Sequence, residues 1–167
     1  PMYHIGGTEH TLSSLMMGSM VVITDGLDVE AMCDAIGRYE LGWLLLMPAT
    51  IESVLKCLRE TKTQVCGVRV VGCMADLVPA AQIAEVTAVL NAPFVNSFGS
   101  TETGLPPATS HLIPVGVVPQ DLSKQMSSLC EFRLVDKNEN DVLPGEVGEV
   151  LVRGPTLFSG YWNAPEV

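Results

Sequence analysis

The chain has 167 residues, a net charge of −10 and a hydrophobic fraction of 47%. This length suits one ordinary domain or a piece of a larger protein, and the acidic balance disfavours nucleic-acid binding by a basic face. The longest apolar runs are far shorter than the ~20 residues that span a bilayer, so we predict neither a nucleic-acid partner nor a transmembrane segment.

The five cysteines form neither a CxxC pair nor a zinc-ligand pattern with the three histidines. This usage is typical of free thiols in a reducing cytoplasm, where we place the protein. The chain opens on Pro1 and stops in mid-pattern at Val167. We therefore expect it to be an internal piece of a longer protein.

Apolar spacing predicts alternating helices and strands over the first two-thirds of the chain. Four helices are predicted: one at 8–17, one at 28–39, one that opens at Pro48 and includes Leu58, and one that has Pro79 in its first turn and includes Leu90. Four short apolar strands are predicted at 20–23, 43–47, 68–71 and 94–95. Such alternation indicates an α/β fold in which helices flank a parallel sheet. Ligands bind beyond the carboxyl ends of such strands, which directs attention to the loops 72–76 and 97–104.

The pattern changes near Ile113, after which prolines and a glycine interrupt the helical spacing. Two alternating segments follow, 130–135 and 148–153, with polar turn residues between them. Alternation of this kind predicts antiparallel strands. We therefore predict an α/β parallel-sheet subdomain over 1–115 and part of a small antiparallel β subdomain over 116–167.

Residues 96–104 concentrate an aromatic ring, glycines, hydroxyls and one carboxylate directly after an apolar run. The Glu102 carboxylate is a hard oxygen ligand suited to Mg²⁺ that also holds phosphate oxygens. The Thr101 hydroxyl and the backbone amides of a glycine-containing turn can bind phosphate, and Phe98 offers a face on which a base can stack. An ordinary polar turn after a buried strand explains the same composition, so these residues alone leave both interpretations open.

Other nucleotide-binding motifs are missing, since the sequence contains neither GxGxxG nor GxxxxGK[ST]. This disfavours a dinucleotide-dependent oxidoreductase and a P-loop NTPase. No Lys or Arg occurs between Arg69 and Lys124, so the charge that neutralises a phosphate must come from a metal or from elsewhere. His4 precedes two glycines and is either a pocket residue or a packed or solvated histidine.

Four segments together resemble the adenylate-forming superfamily of acyl-CoA synthetases, aryl-CoA ligases and luciferases. In chain order they are PMYHIGG at 1–7, GCMAD at 72–76, FGSTE at 98–102 and GEVGEVLVRGP at 145–155, continuing to SGYW at 159–162. The resemblance covers essentially the whole chain and corresponds to the central part of the large domain of those enzymes.

The resemblance implies separate roles for the residues of the FGSTE segment. Phe98 matches the aromatic residue that stacks on adenine, and Gly99 matches the glycine that lets the adenylate and the acyl group approach the backbone. Thr101 matches the phosphate-contacting threonine and Glu102 the acidic Mg²⁺ ligand, so both are implied to be catalytic.

The resemblance implies further contacts, several of which lie before this segment. The nucleotide-binding set implied in full is Cys73, Met74, Ala75, Asn96, Ser97, Phe98, Gly99 and Thr101. His4 and Gly99 are implied to contact the acyl substrate. The family segment that Cys73–Ala75 would match is usually richer in glycine, and residues 1–7 contain no acid to hold a substrate ammonium, which favours a plain carboxylic acid.

The implied activity is that of an ATP-dependent acid–thiol ligase that uses Mg²⁺. Such an enzyme activates a fatty or aryl acid as acyl-AMP and transfers the acyl group to CoA. The phosphate loop with its lysine would precede Pro1, and the domain with the catalytic lysine would follow Val167, so we expect this chain to be inactive alone. The alternatives are a non-enzymatic nucleotide-binding or oligomerisation module and adenylation followed by transfer to a carrier protein. Exposed apolar surface also predicts self-association.

Overall fold

The computed structural model describes residues 2–164, apart from the side chain of Cys73, and these residues form four helices and nine strands. The helices are α1 (Ile5–Met16), α2 (Val29–Arg38), α3 (Pro48–Thr61) and α4 (Ala80–Leu90). The strands are β1 (Glu40–Leu41), β2 (Leu44–Leu45), β3 (Gly67–Val68), β4 (Val71–Cys73), β5 (Phe94–Phe98), β6 (Ala108–Thr109), β7 (Gln125–Met126), β8 (Glu131–Val135) and β9 (Glu149–Arg153).

The described chain divides into two compact units. The first unit comprises residues 2–97 and Ser110–Lys124, and the second comprises Phe98–Thr109 and residues 125–164. The units are therefore interleaved along the sequence. The predicted domain division at residue 115 stays a prediction.

Helices α2, α3 and α4 form where their local signals predict them. The Asp28 carboxylate accepts the Ala31 amide at 2.9 Å and caps α2. Pro48 lies in the first turn of α3, where its missing N–H costs nothing. Each helix buries one apolar stripe, so the three predicted amphipathic helices are confirmed.

The first unit contains the predicted parallel sheet. Strand β4 lies between β2 and β5 and is parallel to both, and β1 pairs in parallel with β3. One apolar cluster joins these strands to the helices, and its fully buried members include Ile36, Leu46, Ile51, Val54, Leu55, Val71, Ile83, Val86 and Phe94. The α/β class is confirmed, and the carboxyl ends of β4 and β5 lie at the same sheet edge.

The prediction of a buried strand at 20–23 was wrong. This segment forms no regular strand, and Met20 and Ile23 are 69% and 65% exposed. An apolar run forms a buried strand only when a neighbouring strand and a covering layer are available, and this segment has no strand partner among the described residues. Helix α1 also begins at Ile5 rather than at Thr8, and none of its residues is buried.

The second unit contains the predicted antiparallel strands. Strands β8 and β9 pair over their full length, from Glu131 opposite Arg153 to Val135 opposite Glu149. A second antiparallel pair, β6 with β7, was not predicted. Across the described residues, no helix is both long and apolar enough to cross a membrane.

Candidate functional site

In the first unit, Asn96 of β5 joins that strand to the turn that follows β4. Its side chain is fully buried, and Oδ1 accepts a hydrogen bond from the Ala75 amide at 2.7 Å. Its Nδ2 donates to Asp76 Oδ1 at 3.4 Å. Because a buried amide side chain is costly unless it is hydrogen-bonded, Asn96 fixes the turn that follows β4. The prediction that Asn96 binds nucleotide stays untested.

Asp76 and Lys124 form an ion pair in the same unit. Lys124 Nζ donates to Asp76 Oδ1 at 2.6 Å, and the Lys124 side chain is only 14% exposed. Partial burial raises the pKa of Asp76, but hydrogen bonds from Lys124 and Asn96 outweigh it and hold that pKa below its usual value. Lys124, the first basic residue after the stretch without Lys or Arg, is therefore paired with a carboxylate 48 residues earlier in the chain.

In the segment after β4, Met74 is exposed, whereas Ala75 is fully buried. Both backbone groups of Ala75 are paired, its amide with Asn96 and its carbonyl with the Val78 amide at 2.9 Å. Gly72 precedes this segment, and a Cβ there would lie 2.3 Å from the Trp43 ring. Packing of that indole therefore requires a glycine in β4.

His4 caps helix α1. Its Nδ1 accepts the Gly6 amide at 3.1 Å, one of the helix N-terminal donors that lack a partner within the helix. The role in acyl-substrate binding that the family resemblance implies for His4 stays a prediction. The capping role was missed because histidine is not among the preferred cap residues.

In the second unit, the loop 100–104 is closed by Thr103. The Thr103 hydroxyl accepts the Ser100 amide at 2.9 Å and donates to the Ser100 carbonyl at 3.0 Å. Thr103 is buried, whereas the side chain of Thr101 is exposed. Sequence reasoning did not single out Thr103, although a hydroxyl residue three positions after Ser100 is a known local signal for such a turn.

Glu102 carries the carboxylate of this loop, and Tyr161 contacts it. The Tyr161 hydroxyl donates to Glu102 Oε1 at 2.5 Å. This hydrogen bond, followed by one from Ser100, lowers the pKa of Glu102 to about 2, and the same contact with Glu102 raises the pKa of Tyr161. Glu102 is therefore ionised at neutral pH. Tyr161 lies in the SGYW motif, but its sequence position indicated no role of its own.

Phe98 ends β5, where the chain passes from the first unit to the second. Phe98 is 39% exposed, and its ring lies 6.2 Å from the Phe132 ring, centroid to centroid, at 53°. A shallow cavity of about 420 Å³ is bordered by Phe98, Glu102 and apolar side chains of β9, among others. The adjacent Gly99 packs against Pro106, whose Cα would lie 3.3 Å from an added Cβ.

Among the described residues, no group of three or more His, Cys, Asp or Glu side chains could hold a metal ion. Within the loop 100–104, Glu102 is the one acidic side chain. A cation at this loop would need further oxygen ligands from a bound molecule or from water.

The chain belongs to the family of AMP-binding enzymes, whose family model matches residues 1–162. The indoleacetate–CoA ligase of Aromatoleum aromaticum is 32% identical over 170 residues, which cover 98% of this chain and 32% of that protein. The chain thus spans about a third of the length of this curated relative. Other relatives are also named as CoA ligases, with oxalate among their acids.

Two solved structures show the same fold. The o-succinylbenzoate CoA synthetase of Bacillus subtilis, in complex with ATP and magnesium, matches with a TM-score of 0.70 at 24% identity, over 98% of this chain and 33% of that one. A benzoate CoA ligase from Burkholderia xenovorans matches with a TM-score of 0.79 at 18% identity, over 99% of this chain and 34% of that one. The predicted resemblance to adenylate-forming enzymes is confirmed.

Proposed function

We propose that this chain supplies part of the adenylate site of an ATP-dependent acid–CoA ligase. The parent enzyme would join a carboxylate to the α-phosphate of ATP, release pyrophosphate, and then pass the acyl group to the thiol of CoA as AMP leaves. The family match over residues 1–162 and relatives named as CoA ligases support this reaction class.

The observation that carries the proposal is the fixed, ionised carboxylate of Glu102. Glu102 is ionised at neutral pH like an ordinary glutamate, and hydrogen bonds from Tyr161 and Ser100 lower its pKa further, to about 2. A carboxylate has about four lone-pair sites, of which Tyr161 occupies one on Oε1 and Ser100 occupies another. Mg²⁺ is usually bound by one or two carboxylates together with phosphate oxygens and water, so a single carboxylate in this loop fits that ion. When bound, Mg²⁺ would neutralise charge on the phosphates.

The neighbouring residues would position the nucleotide. We propose that the exposed face of Phe98 stacks on adenine and that the exposed Thr101 hydroxyl donates to the α-phosphate. Positioning and neutralisation of charge are the main contributions that a protein makes to transfer at phosphorus. The remaining predictions from the resemblance stand as proposals, namely nucleotide contacts by Cys73, Met74, Ala75, Asn96, Ser97 and Gly99 and substrate contacts by His4 and Gly99.

Calorimetry with AMP, with and without Mg²⁺, tests the proposal. Glu102→Gln should remove most of the gain in AMP affinity that Mg²⁺ gives, whereas Phe98→Ala should weaken AMP about tenfold in both conditions, because stacking contributes ~1–3 kcal/mol per base. Glu149→Gln is the matched control, since Glu149 is an exposed carboxylate of β9. An unmodified chain that binds no AMP, or equal losses in Glu102→Gln and Glu149→Gln, would refute the proposal.

The chain should not turn over by itself. No Lys or Arg lies between Arg69 and Lys124, and Lys124 is already paired with Asp76, so the cationic groups that stabilise a transferring phosphate would come from outside this stretch. Acid-dependent exchange of pyrophosphate into ATP by the 167-residue chain would contradict this. In the full-length parent, the same exchange separates a ligase from a non-enzymatic nucleotide-binding module, and CoA dependence of product release separates CoA from a carrier protein as acceptor.

Self-association through apolar surface is a further part of the proposal. Helix α1 buries none of its residues, and Met16 and Met17 are 86% and 83% exposed. Exposed apolar surface of this kind favours association. We expect light scattering to show oligomers whose mass falls in Met16→Lys, and a monodisperse monomer at high concentration would contradict the expectation.

A further inference from the structure

Three hydrogen bonds within the second unit hold the segment 156–161, which we call the strap, against the loop 100–104. The Thr156 hydroxyl donates to the Thr103 carbonyl at 2.9 Å. The Phe158 amide donates to the Glu102 carbonyl at 2.9 Å. The Tyr161 hydroxyl donates to the Glu102 carboxylate at 2.5 Å. Glu102 is therefore held at both its main chain and its side chain.

The strap also fixes the end of the loop sterically. Gly104 has φ of +65°, and an added Cβ there would lie 2.5 Å from the Thr156 carbonyl oxygen. Only glycine permits this close approach of two backbones. The loop and the strap are thus packed as one piece around Glu102.

The ring of Tyr161 packs against Phe158, which holds the phenol near the Glu102 carboxylate. Its ring lies 4.9 Å from the Phe158 ring, centroid to centroid, in an edge-on arrangement at 72°, which is a favourable geometry for two aromatic rings. The same Phe158 binds the Glu102 carbonyl through its amide. Phe158 therefore links the position of the Tyr161 phenol to the main chain of Glu102.

We propose that Tyr161 is a positioning residue for the metal-binding carboxylate, its hydroxyl orienting Glu102 toward Mg²⁺ while the strap holds the loop. The inference rests on the proposed function, since it assigns Tyr161 to the same site. Groups that hydrogen-bond a metal ligand fix its orientation, and their loss typically costs about 10–100-fold in metal affinity. Tyr161 would act on the cation through Glu102 without touching it.

The three hydrogen bonds act on different parts of the loop, and this difference can be tested. Thr156 and Phe158 hold the main chain of the loop, whereas the Tyr161 hydroxyl contacts the Glu102 carboxylate. Tyr161→Phe removes one oxygen and keeps the ring that packs on Phe158. If Tyr161 positions Glu102, Tyr161→Phe should weaken AMP binding only when Mg²⁺ is present. If the role of Tyr161 is purely structural, AMP binding should weaken equally with and without Mg²⁺.

Calorimetry on the 167-residue chain separates these roles. We expect Tyr161→Phe to weaken Mg²⁺-supported AMP binding about tenfold and to leave AMP affinity without Mg²⁺ unchanged. Tyr3→Phe is the matched control, because Tyr3 is 92% exposed and lies in the first unit. Adding Tyr161→Phe to Glu102→Gln should cause no further loss. Equal Mg²⁺ dependence in Tyr161→Phe and the unmodified chain, or equal weakening in both conditions, would overturn the inference.

A second measurement uses Mg²⁺ alone, so that failure of the proposed function is distinguishable. The side-chain carboxyl carbon of Glu102, assigned in NMR spectra by its loss in Glu102→Gln, is followed during Mg²⁺ titration. The midpoint should rise about tenfold in Tyr161→Phe. If Mg²⁺ shifts this signal but the chain binds no AMP, the proposed function fails and the inference stands. A signal that ignores Mg²⁺, or one with the same midpoint in Tyr161→Phe, overturns the inference.

Discussion

Asn96 Oδ1 accepts the amide of Ala75 at 2.7 Å, and both residues are fully buried. This contact links β5 to the turn after β4, at the sheet edge where ligands of parallel α/β folds bind. A residue assigned to nucleotide binding by resemblance therefore also has a structural task.

Asn96→Leu should destabilise the first unit by about 1–3 kcal/mol, because the buried Ala75 amide loses its acceptor. Urea unfolding followed by Trp43 fluorescence measures this, since Trp43 lies in the first unit against His10. The other tryptophan, Trp162, is 98% exposed and should report little. Gln64→Leu replaces an exposed amide and serves as the control. Equal unfolding midpoints for the two variants would contradict the assignment.

The Asp76–Lys124 pair predicts a pH dependence. The pKa of Asp76 lies below its ordinary value of 3.8 in the folded chain, so ionised Asp76 stabilises folding above about pH 4. That contribution is lost as the pH falls through the lowered pKa. Asp76 is half-exposed, so solvent screening keeps the effect small.

Lys124→Met tests this dependence. The pKa of Asp76, read from its carboxyl carbon in NMR titrations, should rise in Lys124→Met because the main opposing contact to partial burial is gone. The stability difference between the unmodified chain and Lys124→Met should be largest near pH 6 and shrink toward pH 3. Lys137→Met, which alters an exposed lysine of the second unit, should leave the pKa of Asp76 unchanged.

Gly104 and Gly145 form a matched pair for the strap. Both have positive φ, +65° and +94°, but an added Cβ meets the Thr156 carbonyl only at Gly104, whereas nothing lies within 4 Å of it at Gly145. Gly145→Ala should cost about 1–2 kcal/mol of backbone strain, and Gly104→Ala should cost more, because the strap must move as well.

Hydrogen exchange measures the difference between these two variants. In Gly104→Ala the Phe158 amide, which donates to Glu102, should lose protection. In Gly145→Ala it should stay protected. Equal protection of that amide in both variants would show that the strap does not depend on the close approach at Gly104.

Cys33 and Cys66 should differ in reactivity. Burial, followed by the interactions with Cys57, raises the pKa of the Cys33 thiol to about 12, whereas Cys66 is exposed. The thiolate is the reactive form, so iodoacetamide at pH 8 should modify Cys66 first and reach Cys33 only on unfolding. Peptide mass spectrometry over time checks this order, and early modification of Cys33 in the folded chain would contradict it.

Local signals predicted elements whose causes are local. The Asp28 cap gave the start of α2, and Pro48 and Pro79 gave the starts of α3 and α4 to within a residue. Alternation of apolar and polar residues predicted β8 and β9, although most residues of both strands are exposed. The prediction of a strand at 20–23 was wrong because an apolar run does not specify the element that must cover it.

Four motifs in order were enough to predict the family, and alternating apolar spacing was enough to predict the α/β class, because each motif and each element is a local pattern. The roles of Asn96, Lys124 and Tyr161 were decided only by tertiary structure. Tyr161 meets Glu102 across 59 residues, and Lys124 meets Asp76 across 48. Hydrogen bonds over such separations depend on how the chain packs, and no local pattern encodes the partner.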